Sequence, residues 1–481
     1  MYPELEKAAS LASAYLDDLD YHPVSQPSTV DELRVRLDHA LTDDGVPGVQ
    51  VLEELARDID TGLLRTSGGR FFGWVIGGGV PAAIGADWLC STWDQNAAAY
   101  ACSPGAAVVE EIAGRWLKEM LGLPATASFS FVTGCQMAHV VCLAAARHHV
   151  LSEAGWNVEE DGLFGAPPIR VLVGEHHETL VRALRYLGIG SNAMVRVGCH
   201  SDGTIDINAL ATELDAASGH PTIVSLAAGD LNRGAFDDFE HACEAVHAHG
   251  GWVHVDGAFG LWVGASPTHR HLVKGIGNAD SWATDAHKWL NVPYENGIGF
   301  VARWEAHRAA MRLHADYVID AGGGRDQLDW NPEWSRRARA VPIYVALRTL
   351  GRHGVAHLVE RCCRLTAQMV RQLATIPGVE VLTEPIINQA LVRFPAPGGA
   401  SSVDHDRHTE SVVEYVQHDG EAWFGPTTWQ GMRVMRISVS NWRTSGADVT
   451  RAVDAVARAV AALRPRGAPP APTVETRSSS R

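Results

Sequence analysis

Residues 281–300, SWATDAHKWLNVPYENGIGF, are the most informative part of this sequence. Both ends have the apolar, β-prone composition of buried strands, over residues 281–285 and 297–302. Between them, a short polar loop carries His287 and Lys288 side by side. A lysine between two buried strands is costly to desolvate, so it is normally paired, exposed at a strand end or covalently modified. Taken alone, Lys288 is typical of a solvated loop lysine.

An acid on a second strand changes that interpretation. Residues 251–256, GWVHVD, end in Asp256 and run into small residues that let a flat group approach the backbone. On its own, Asp256 is equally typical of a helix N-cap or a turn. However, a carboxylate can hold a pyridinium nitrogen while a lysine amine forms a Schiff base with an aldehyde. Asp256 and Lys288 together therefore predict a site for pyridoxal phosphate.

Two segments then carry a family resemblance: HVDGAFG (254–260) and SWATDAHKWLNVPYENG (281–297). They resemble the group II pyridoxal-phosphate-dependent amino-acid decarboxylases, which include the aromatic-L-amino-acid, tyrosine, histidine and glutamate decarboxylases. The similarity extends over most of residues 65–460. It implies an α/β protein of the PLP-dependent transferase fold, type I. Such a protein has a large domain with a mainly parallel sheet, an N-terminal helical arm, a small C-terminal αβ domain and a homodimeric assembly.

Composition limits the function classes. The chain has 481 residues, 46% of them apolar, and a formal net charge of −16. An acidic chain without a basic run is atypical of nucleic-acid binders, and we find neither a secretory signal nor an apolar stretch long enough for a membrane helix. Eight scattered cysteines show no paired metal-ligand spacing and indicate reduced thiols. We expect a cytoplasmic protein that binds no nucleic acid, membrane or metal.

The middle of the chain alternates strands with helices, which predicts a mainly parallel sheet covered by helices. Asp237 followed by Glu240 predicts a capping box for one of these helices. In such sheets ligands bind beyond the carboxyl ends of the strands. The predicted strands are residues 128–133, 169–174, 222–227, 251–256, 281–284 and 298–302.

Four regions follow from the resemblance together with this pattern. They are an N-terminal arm with a substrate loop (1–84), a large cofactor-binding domain (85–345), a small domain (346–464) and a disordered tail (465–481). The arm lacks a core of its own, so we expect it to clasp a partner subunit. The tail is rich in Pro, Arg and Ser, which is typical of disorder.

The resemblance also implies the cofactor contacts. The turn at residues 133–136 lies between a strand and a helix, where backbone N–H groups bind anions, and the family binds the cofactor phosphate there. His177 is by itself typical of a surface histidine, but the matching family histidine stacks on the pyridine ring. The predicted cofactor-binding residues are Thr133, Gly134, Cys135, Gln136, His177, Asp256, Ala258, Thr284, His287 and Lys288.

Substrate contacts are predicted in two loops. The first, residues 67–81, is rich in glycine and aromatic residues, which fits either a mobile turn cluster or a pocket wall. The family has an aromatic loop here, so Phe71, Phe72 and Trp74 are predicted to contact an aromatic or apolar substrate. Asn232 lies in a loop where the family has small polar residues near the cofactor or substrate.

One position departs from the family. The loop 321–334 is glycine-rich at its start and is predicted to be a mobile lid. Many aromatic decarboxylases carry a proton-donating tyrosine about nine residues before an arginine pair, and counting back from Arg336 gives Gln327. Tyr317 is the nearest tyrosine upstream and matches a different position.

The predicted activity is that of a carboxy-lyase in amino-acid metabolism, with catalytic residues Lys288, Asp256, His177 and His287. An L-amino acid would lose CO2 through a Lys288 Schiff base and a quinonoid intermediate, while Asp256 keeps the ring nitrogen protonated. His287 would bind phosphate or carry a proton. An aldehyde synthase, in which O2 reacts with the quinonoid, is the alternative that Gln327 suggests. A non-catalytic homologue is a third, although Lys288 and Asp256 have no folding role that requires the pair.

Overall fold

The computed structural model describes residues 2–25, 28–313, 324–398 and 400–464. They form two compact units. The smaller unit combines residues up to Trp74 with 364–439 and the chain from Arg443 onward, and the larger one combines 75–363 with 440–442. Since each unit joins segments that are distant in sequence, the predicted domain boundaries stay predictions. The predicted tail, residues 465–481, lies outside the described residues.

The larger unit is built on a seven-stranded sheet in the order β1-β7-β6-β5-β4-β2-β3. Only β7 runs antiparallel to its neighbours, β1 and β6. The prediction of a mainly parallel sheet is therefore confirmed, and the short edge strand β3 was not predicted. The strands are β1 Ser128–Val132, β2 Arg170–Val173, β3 Met194–Arg196, β4 Thr222–Ala227, β5 Trp252–Asp256, β6 Ser281–Asp285 and β7 Gly297–Val301.

Helix α6 is the central helix of this unit and packs on β6 and β7. Its side chains are buried on most sides, Val141 and Leu151 among them, as expected for a helix inside the protein. Helices α1 to α3 form the arm in the smaller unit. The helices up to residue 373 are α1 Pro3–Asp18, α2 Val30–Leu37, α3 Gly48–Ile59, α4 Pro81–Trp93, α5 Pro104–Leu121, α6 Cys135–Glu153, α7 Val158–Asp161, α8 Glu178–Tyr186, α9 Ile207–Ala216, α10 Phe239–Ala248, α11 Trp304–Met311 and α12 Ala340–Leu373. Helix α12 breaks at Gly351.

The turn before α6 is pressed against the start of β7. A Cβ atom on Gly297 would lie only 2.3 Å from the carbonyl carbon of Gly134. Any side chain at Gly297 would push the two segments apart. This glycine therefore lets the first turn of α6 approach the loop that carries Lys288.

The predicted capping box is wrong by one residue. Asp238 is the N-cap of α10, and its carboxylate accepts a hydrogen bond from the backbone N–H of His241. Asp237 instead points into the protein and accepts from the N–H groups of Ile205 and Ala227, both at 2.7 Å. Two adjacent acids are indistinguishable as caps from sequence, and the neighbouring β4 loop decides which one turns inward.

The smaller unit contains the three arm helices and a four-stranded antiparallel sheet in the order β10-β11-β9-β8. Its strands are β8 Glu380–Val381, β9 Gln389–Arg393, β10 Gly425–Trp429 and β11 Met432–Ser438, and its last helices are α13 Ser402–Asp419 and α14 Gly446–Ala462. The αβ character predicted for the C-terminal region is confirmed. Among the residues described in both units, no helix has the length and apolar character needed to cross a membrane.

Candidate active site

The candidate site lies at the carboxyl edge of β5 and β6. These strands are parallel neighbours, with Asp256 paired to Ala283, so the acid and the loop carrying Lys288 leave the sheet at the same edge. The Lys288 amine lies 3.0 Å from Oδ2 of Asp285. Burial lowers the pKa of Lys288, but the Asp285 carboxylate outweighs it and the net pKa is raised. The amine therefore rests as an ammonium paired with Asp285.

Asp285 is the site residue that sequence reasoning missed. Its Oδ1 accepts a hydrogen bond from the backbone N–H of Cys135 at 2.5 Å, so the carboxylate caps the start of α6. A negative charge there is favoured by the helix dipole. Asp285 reads in the sequence as the last residue of an apolar strand, and only its position three residues before Lys288 pointed to an ion pair.

The predicted phosphate turn lies at the start of α6, as expected. Gly134 precedes the helix in an extended conformation, and Cys135 is its first residue. Burial raises the pKa of the Cys135 thiol well above its ordinary value, so this side chain is a neutral thiol. Gln136 donates from Nε2 to the carbonyl of Thr179 at 3.1 Å, and half-buried Thr133 is the first residue after β1.

The Asp256 carboxylate is held by two neighbours. Its Oδ1 accepts from the N–H of Ala258 at 3.1 Å, and its Oδ2 lies 3.5 Å from His139 Nε2. Burial would raise the pKa of Asp256, but His139, Lys288 and the Ala258 N–H together lower it well below the ordinary value. Asp256 is thus an anion at neutral pH. His139 was not singled out from the sequence, although it lies one helical turn after Cys135.

His287 is oriented by its own loop. Its Nδ1 accepts from the backbone N–H of Asn296 at 3.1 Å, and its Nε2 lies 3.5 Å from Asp285 Oδ1. Burial lowers the pKa of His287, so the ring is neutral near pH 7 and carries its hydrogen on Nε2. The ring of Tyr294 packs against it, with 4.2 Å between centroids and a tilt of 31°. Burial also raises the pKa of Tyr294, which keeps the phenol protonated.

Three other predicted residues lie at the same sheet edge. His177 is the exposed N-cap of α8, directly after β2, and its Nδ1 accepts from the N–H of Thr179 at 3.2 Å. Thr284 is fully buried in β6, and its hydroxyl is a buried group without a hydrogen-bond partner. Asn232 lies in the loop after β4, where its N–H donates to Asp230 at 2.7 Å.

This set of groups fits pyridoxal phosphate. The cofactor needs an amine for its aldehyde, an anionic carboxylate for its ring nitrogen and N–H donors for its phosphate. Lys288, Asp256 and the first turn of α6 supply these, and the unsatisfied Thr284 hydroxyl offers a further polar contact. Ala258 is small enough for a ring to approach. One feature runs against the phosphate: Asp285 already occupies the N–H of Cys135.

The predicted substrate aromatics lie in the smaller unit. Phe71 stacks on Trp423 at 4.9 Å and Phe72 on Phe424 at 5.2 Å between ring centroids. Phe72 is completely buried, so it serves as a core side chain of that unit, whereas Trp74 is 52% exposed. Of the three, Trp74 presents the most surface to a ligand, and substrate contact stays a prediction.

The mobility predicted for the lid stays a prediction. Residues 321–323 and Tyr317 lie outside the described part, whereas 324–334 are tied to the larger unit. The N–H of Tyr100 donates to Asp326 at 2.8 Å, and the Arg325 guanidinium lies over the rings of Phe129 and Trp330. Gln327 is 1% exposed in a short 3₁₀ turn, and its Oε1 accepts from Arg325 at 2.8 Å. Arg325 follows the glycine-rich start of this loop and was not predicted to anchor the segment.

Within the described ranges, one group of side chains could hold a metal ion. The ligand atoms of Cys135, His139 and Asp256 lie within 4.8 Å of one another. A metal would need the Cys135 thiolate, which burial disfavours, and Asp256, which the cofactor needs. We therefore treat this group as part of the cofactor site.

Comparisons with known proteins identify the family. Residues 31–395 match the model of the pyridoxal-dependent decarboxylase conserved domain. The chain is 25% identical over 446 residues to an aromatic-L-amino-acid decarboxylase of Bacillus atrophaeus, covering 91% of each. It is 24% identical to the human (Homo sapiens) cysteine sulfinic acid decarboxylase, covering 87% of each. The crystal structure of Oryza sativa TDC with PLP and tryptamine is similar in fold, with TM-score 0.90, 22% identity, and coverage of 96% of this chain and 98% of that one.

Proposed function

This chain belongs to the pyridoxal-dependent decarboxylase family and is a PLP-dependent amino-acid decarboxylase; on that premise we propose that it converts an aromatic or apolar L-amino acid to the amine and CO2. The observation that carries the proposal is the arrangement at the carboxyl edge of the sheet. Lys288 is paired with Asp285 at 3.0 Å, and the anionic Asp256 leaves the neighbouring strand.

Lys288 is the residue that we propose to hold the cofactor. When bound, pyridoxal phosphate supplies an electron sink for the bond that breaks at the α-carbon of the amino acid. The Lys288 amine must lose its proton before it can attack an aldehyde. Asp285 Oδ2, 3.0 Å away, favours the protonated amine and so sets how much neutral lysine is available for this attack.

Asp256, an anion at neutral pH, would hold the proton on the ring nitrogen of a bound cofactor. Opposite charges about 4 Å apart at an effective dielectric of 20 attract by about 4 kcal/mol. That energy corresponds to about three pKa units, enough to keep a pyridine nitrogen protonated at neutral pH. The N–H of Ala258 and the ring of His139 hold the carboxylate in a fixed orientation.

The remaining steps are proton placement and substrate orientation. We assign protonation of the α-carbon, after CO2 has left, to His177, the exposed N-cap of α8. His287, whose Nδ1 accepts from Asn296 and whose Nε2 now lies 3.5 Å from Asp285, would offer its Nε2–H to the phosphate of a bound cofactor. Thr133, Gly134, Cys135 and Gln136, at the start of α6, would hold the phosphate, and the unpaired Thr284 hydroxyl would contact the phosphate or the ring.

We base the substrate class on Trp74, which is exposed in the predicted substrate loop beside the buried Phe71 and Phe72. The matched relatives do not decide it, since their names cover chemically different amino acids. The test is release of CO2 and amine from L-tryptophan, L-tyrosine, L-phenylalanine and L-leucine, compared with cysteine sulfinate, L-glutamate and L-2,4-diaminobutyrate. We expect turnover in the first group. Turnover confined to the second group would refute the substrate class while leaving decarboxylation intact.

A second candidate function follows from Gln327, which stands where the proton-donating tyrosine is expected. In this reaction the amino acid, O2 and H2O give the aldehyde, CO2, NH3 and H2O2, so O2 is the oxidant and is reduced to peroxide. The buried Gln327 amide, bonded to Arg325, is a poor acid for protonating carbon. Peroxide produced in a one-to-one ratio with CO2 would establish the oxidative reaction, and amine without peroxide would exclude it.

We further propose a cytoplasmic homodimer. The described cysteines are all free thiols, as expected in a reducing compartment. The arm exposes apolar side chains, with Val30 62%, Val35 83% and Leu55 49% exposed, which a second copy would cover. Deletion of residues 1–64 should give inactive or aggregated protein. An active monomer in analytical ultracentrifugation would refute the dimer.

A further inference from the structure

A chain of buried polar side chains leads from the sheet to Asp256. Trp252 Nε1 donates to Ser281 Oγ at 2.9 Å, and Ser281 Oγ lies 2.9 Å from His254 Nδ1. His254 Nε2 lies 2.9 Å from His139 Nδ1, and His139 Nε2 lies 3.5 Å from Asp256 Oδ2. The four residues that lead to Asp256 in this series, Trp252, Ser281, His254 and His139, are each 0% exposed. We call this series the polar chain.

Three elements bring the polar chain together. His254 and Asp256 are two residues apart on β5, so their side chains share one face of the sheet. Ser281 begins β6 and is the register partner of His254. His139 approaches from α6, which packs on the same strands. Buried polar groups are costly unless paired, so an arrangement drawn from three elements needs a reason beyond packing.

The hydrogens of the polar chain can be assigned by elimination. Burial lowers the pKa of His254 to about 3, so this ring is neutral and has one N–H. If His254 donates through Nε2, Ser281 donates to its Nδ1, and His139 must donate through Nε2 to Asp256. If His254 donates through Nδ1 instead, His139 donates from Nδ1 to His254. In that case Trp252 Nε1 and His254 Nδ1 would both donate to Ser281 Oγ, and the buried Ser281 hydroxyl hydrogen would have no acceptor in the polar chain. The first assignment satisfies every member of the polar chain and is therefore preferred.

The first assignment points the Nε2–H of His139 at Asp256. The Cys135 thiol lies 3.5 Å from the same His139 nitrogen, but a neutral thiol is a much weaker acceptor than a carboxylate. Two hydrogen donors thus face Asp256, His139 at Oδ2 and the Ala258 N–H at Oδ1. The carboxylate is prevented from rotating and keeps its remaining lone pairs for one more donor.

We propose that His139 is a positioning residue for the cofactor: the polar chain from Trp252 fixes the tautomer of His139, which holds the Asp256 carboxylate toward the cofactor's ring nitrogen. This inference rests on the proposed function and adds to it a residue that contacts Asp256 and need not contact cofactor or substrate. The other titratable groups around Asp256 are the Lys288 amine, the Cys135 thiol and the His254 ring. Of these, only Lys288 is cationic, and it is already paired with Asp285.

The test measures the proton on the cofactor ring in the holoenzyme. Wild type, His139→Leu and His139→Gln are loaded with pyridoxal phosphate carrying ¹⁵N in the ring, and the ring-nitrogen chemical shift is followed against pH. We expect His139→Leu to lower the pH at which the ring loses its proton by about one unit, a tenfold loss of proton affinity. His139→Gln keeps an N–H for Asp256 and should lie between the two.

His307 provides the matched control. It is equally buried, and it is hydrogen-bonded to Ser128 and to the Trp330 carbonyl. His307→Leu should leave the ring-nitrogen titration unchanged. If His139→Leu does not fold, Ser281→Ala interrupts the polar chain without touching Asp256 and should still lower the midpoint.

An unchanged midpoint in His139→Leu, or in Ser281→Ala if that variant is used, would overturn the inference. An equal shift in His307→Leu would do the same. Failure of the proposed function would give a different result. The wild-type protein would then show a normal ring-nitrogen titration but release no CO2 from any amino acid tested.

Discussion

Replacing Asp285 with asparagine tests the electrostatics of the site most sharply, because this carboxylate contacts both Lys288 and the start of α6. Its Oδ2 lies 3.0 Å from the Lys288 amine, and its Oδ1 accepts from the Cys135 N–H. Asp285→Asn retains the shape and an oxygen for the Cys135 N–H. What it removes is the negative charge.

The size of the effect follows from the geometry. Unit charges 3.0 Å apart attract by about 6 kcal/mol at an effective dielectric of 20 and by about 1.4 kcal/mol in bulk water. The Lys288 side chain is 24% exposed, so we take about 3 kcal/mol, or roughly two pKa units. Since Asp285 raises the pKa of Lys288, its loss should increase the neutral amine at pH 7 about 100-fold. The loss of a carboxylate at the helix start should also favour the cofactor phosphate.

The assay is the rate at which cofactor-free protein captures pyridoxal phosphate, followed by visible absorbance. Asp285→Asn should capture it up to about 100-fold faster at pH 7, and the difference should shrink as the pH approaches the lysine pKa. The control is Asp280→Asn, a buried acid just before β6 that pairs with His247 and Arg303. Equal capture rates in wild type and both variants would refute the role given to the Asp285–Lys288 pair.

Three other outcomes are expected. Asp256→Asn should retain the cofactor but lose most turnover, by about 10³-fold if three pKa units of ring-proton affinity are removed. Turnover within a factor of three of wild type would contradict the role of Asp256 in making the ring an electron sink. If the native enzyme is oxidative, Gln327→Tyr should lower peroxide and raise amine, and no shift in product ratio would mean that position 327 does not control protonation. Burial lowers the pKa of both His254 and His307 to about 3, against 6.5 when unfolded. The unfolded state therefore binds more protons, and the free energy of unfolding falls as the pH drops from 6.5 toward 3. The fall is up to about 1.4 kcal/mol per pH unit for each histidine. Urea titrations between pH 7 and 5 should show this fall, and His307→Phe should reduce its slope.

The fold was predictable because its signals are local. The six strands predicted in the larger unit are apolar runs, and each is found within one residue of its predicted limits, as at Ser281–Asp285 and Thr222–Ala227. Lys288 and Asp256 could be found from sequence for a related reason. Both follow apolar strands at positions where a buried charge requires a partner or a ligand.

What sequence did not reveal depends on contacts between distant segments. Asp285 looks like the end of a strand until α6 places the Cys135 N–H against it. His139 lies on a helix face whose neighbour is known only after β5 is placed beside it, although the spacing of His254 and Asp256 was a usable signal. Arg325 turned a glycine-rich segment into an anchored one by contacting the rings of Phe129 and Trp330.

The attachment point of the cofactor is the central claim, and one measurement tests it directly. Protein loaded with pyridoxal phosphate is reduced with borohydride, digested and mapped by mass spectrometry. The pyridoxyl group should be found on Lys288, in the peptide that also contains His287, and Lys288→Ala should bind no reducible cofactor. A pyridoxyl group on another lysine, or undiminished labelling of Lys288→Ala, would contradict this account of the site.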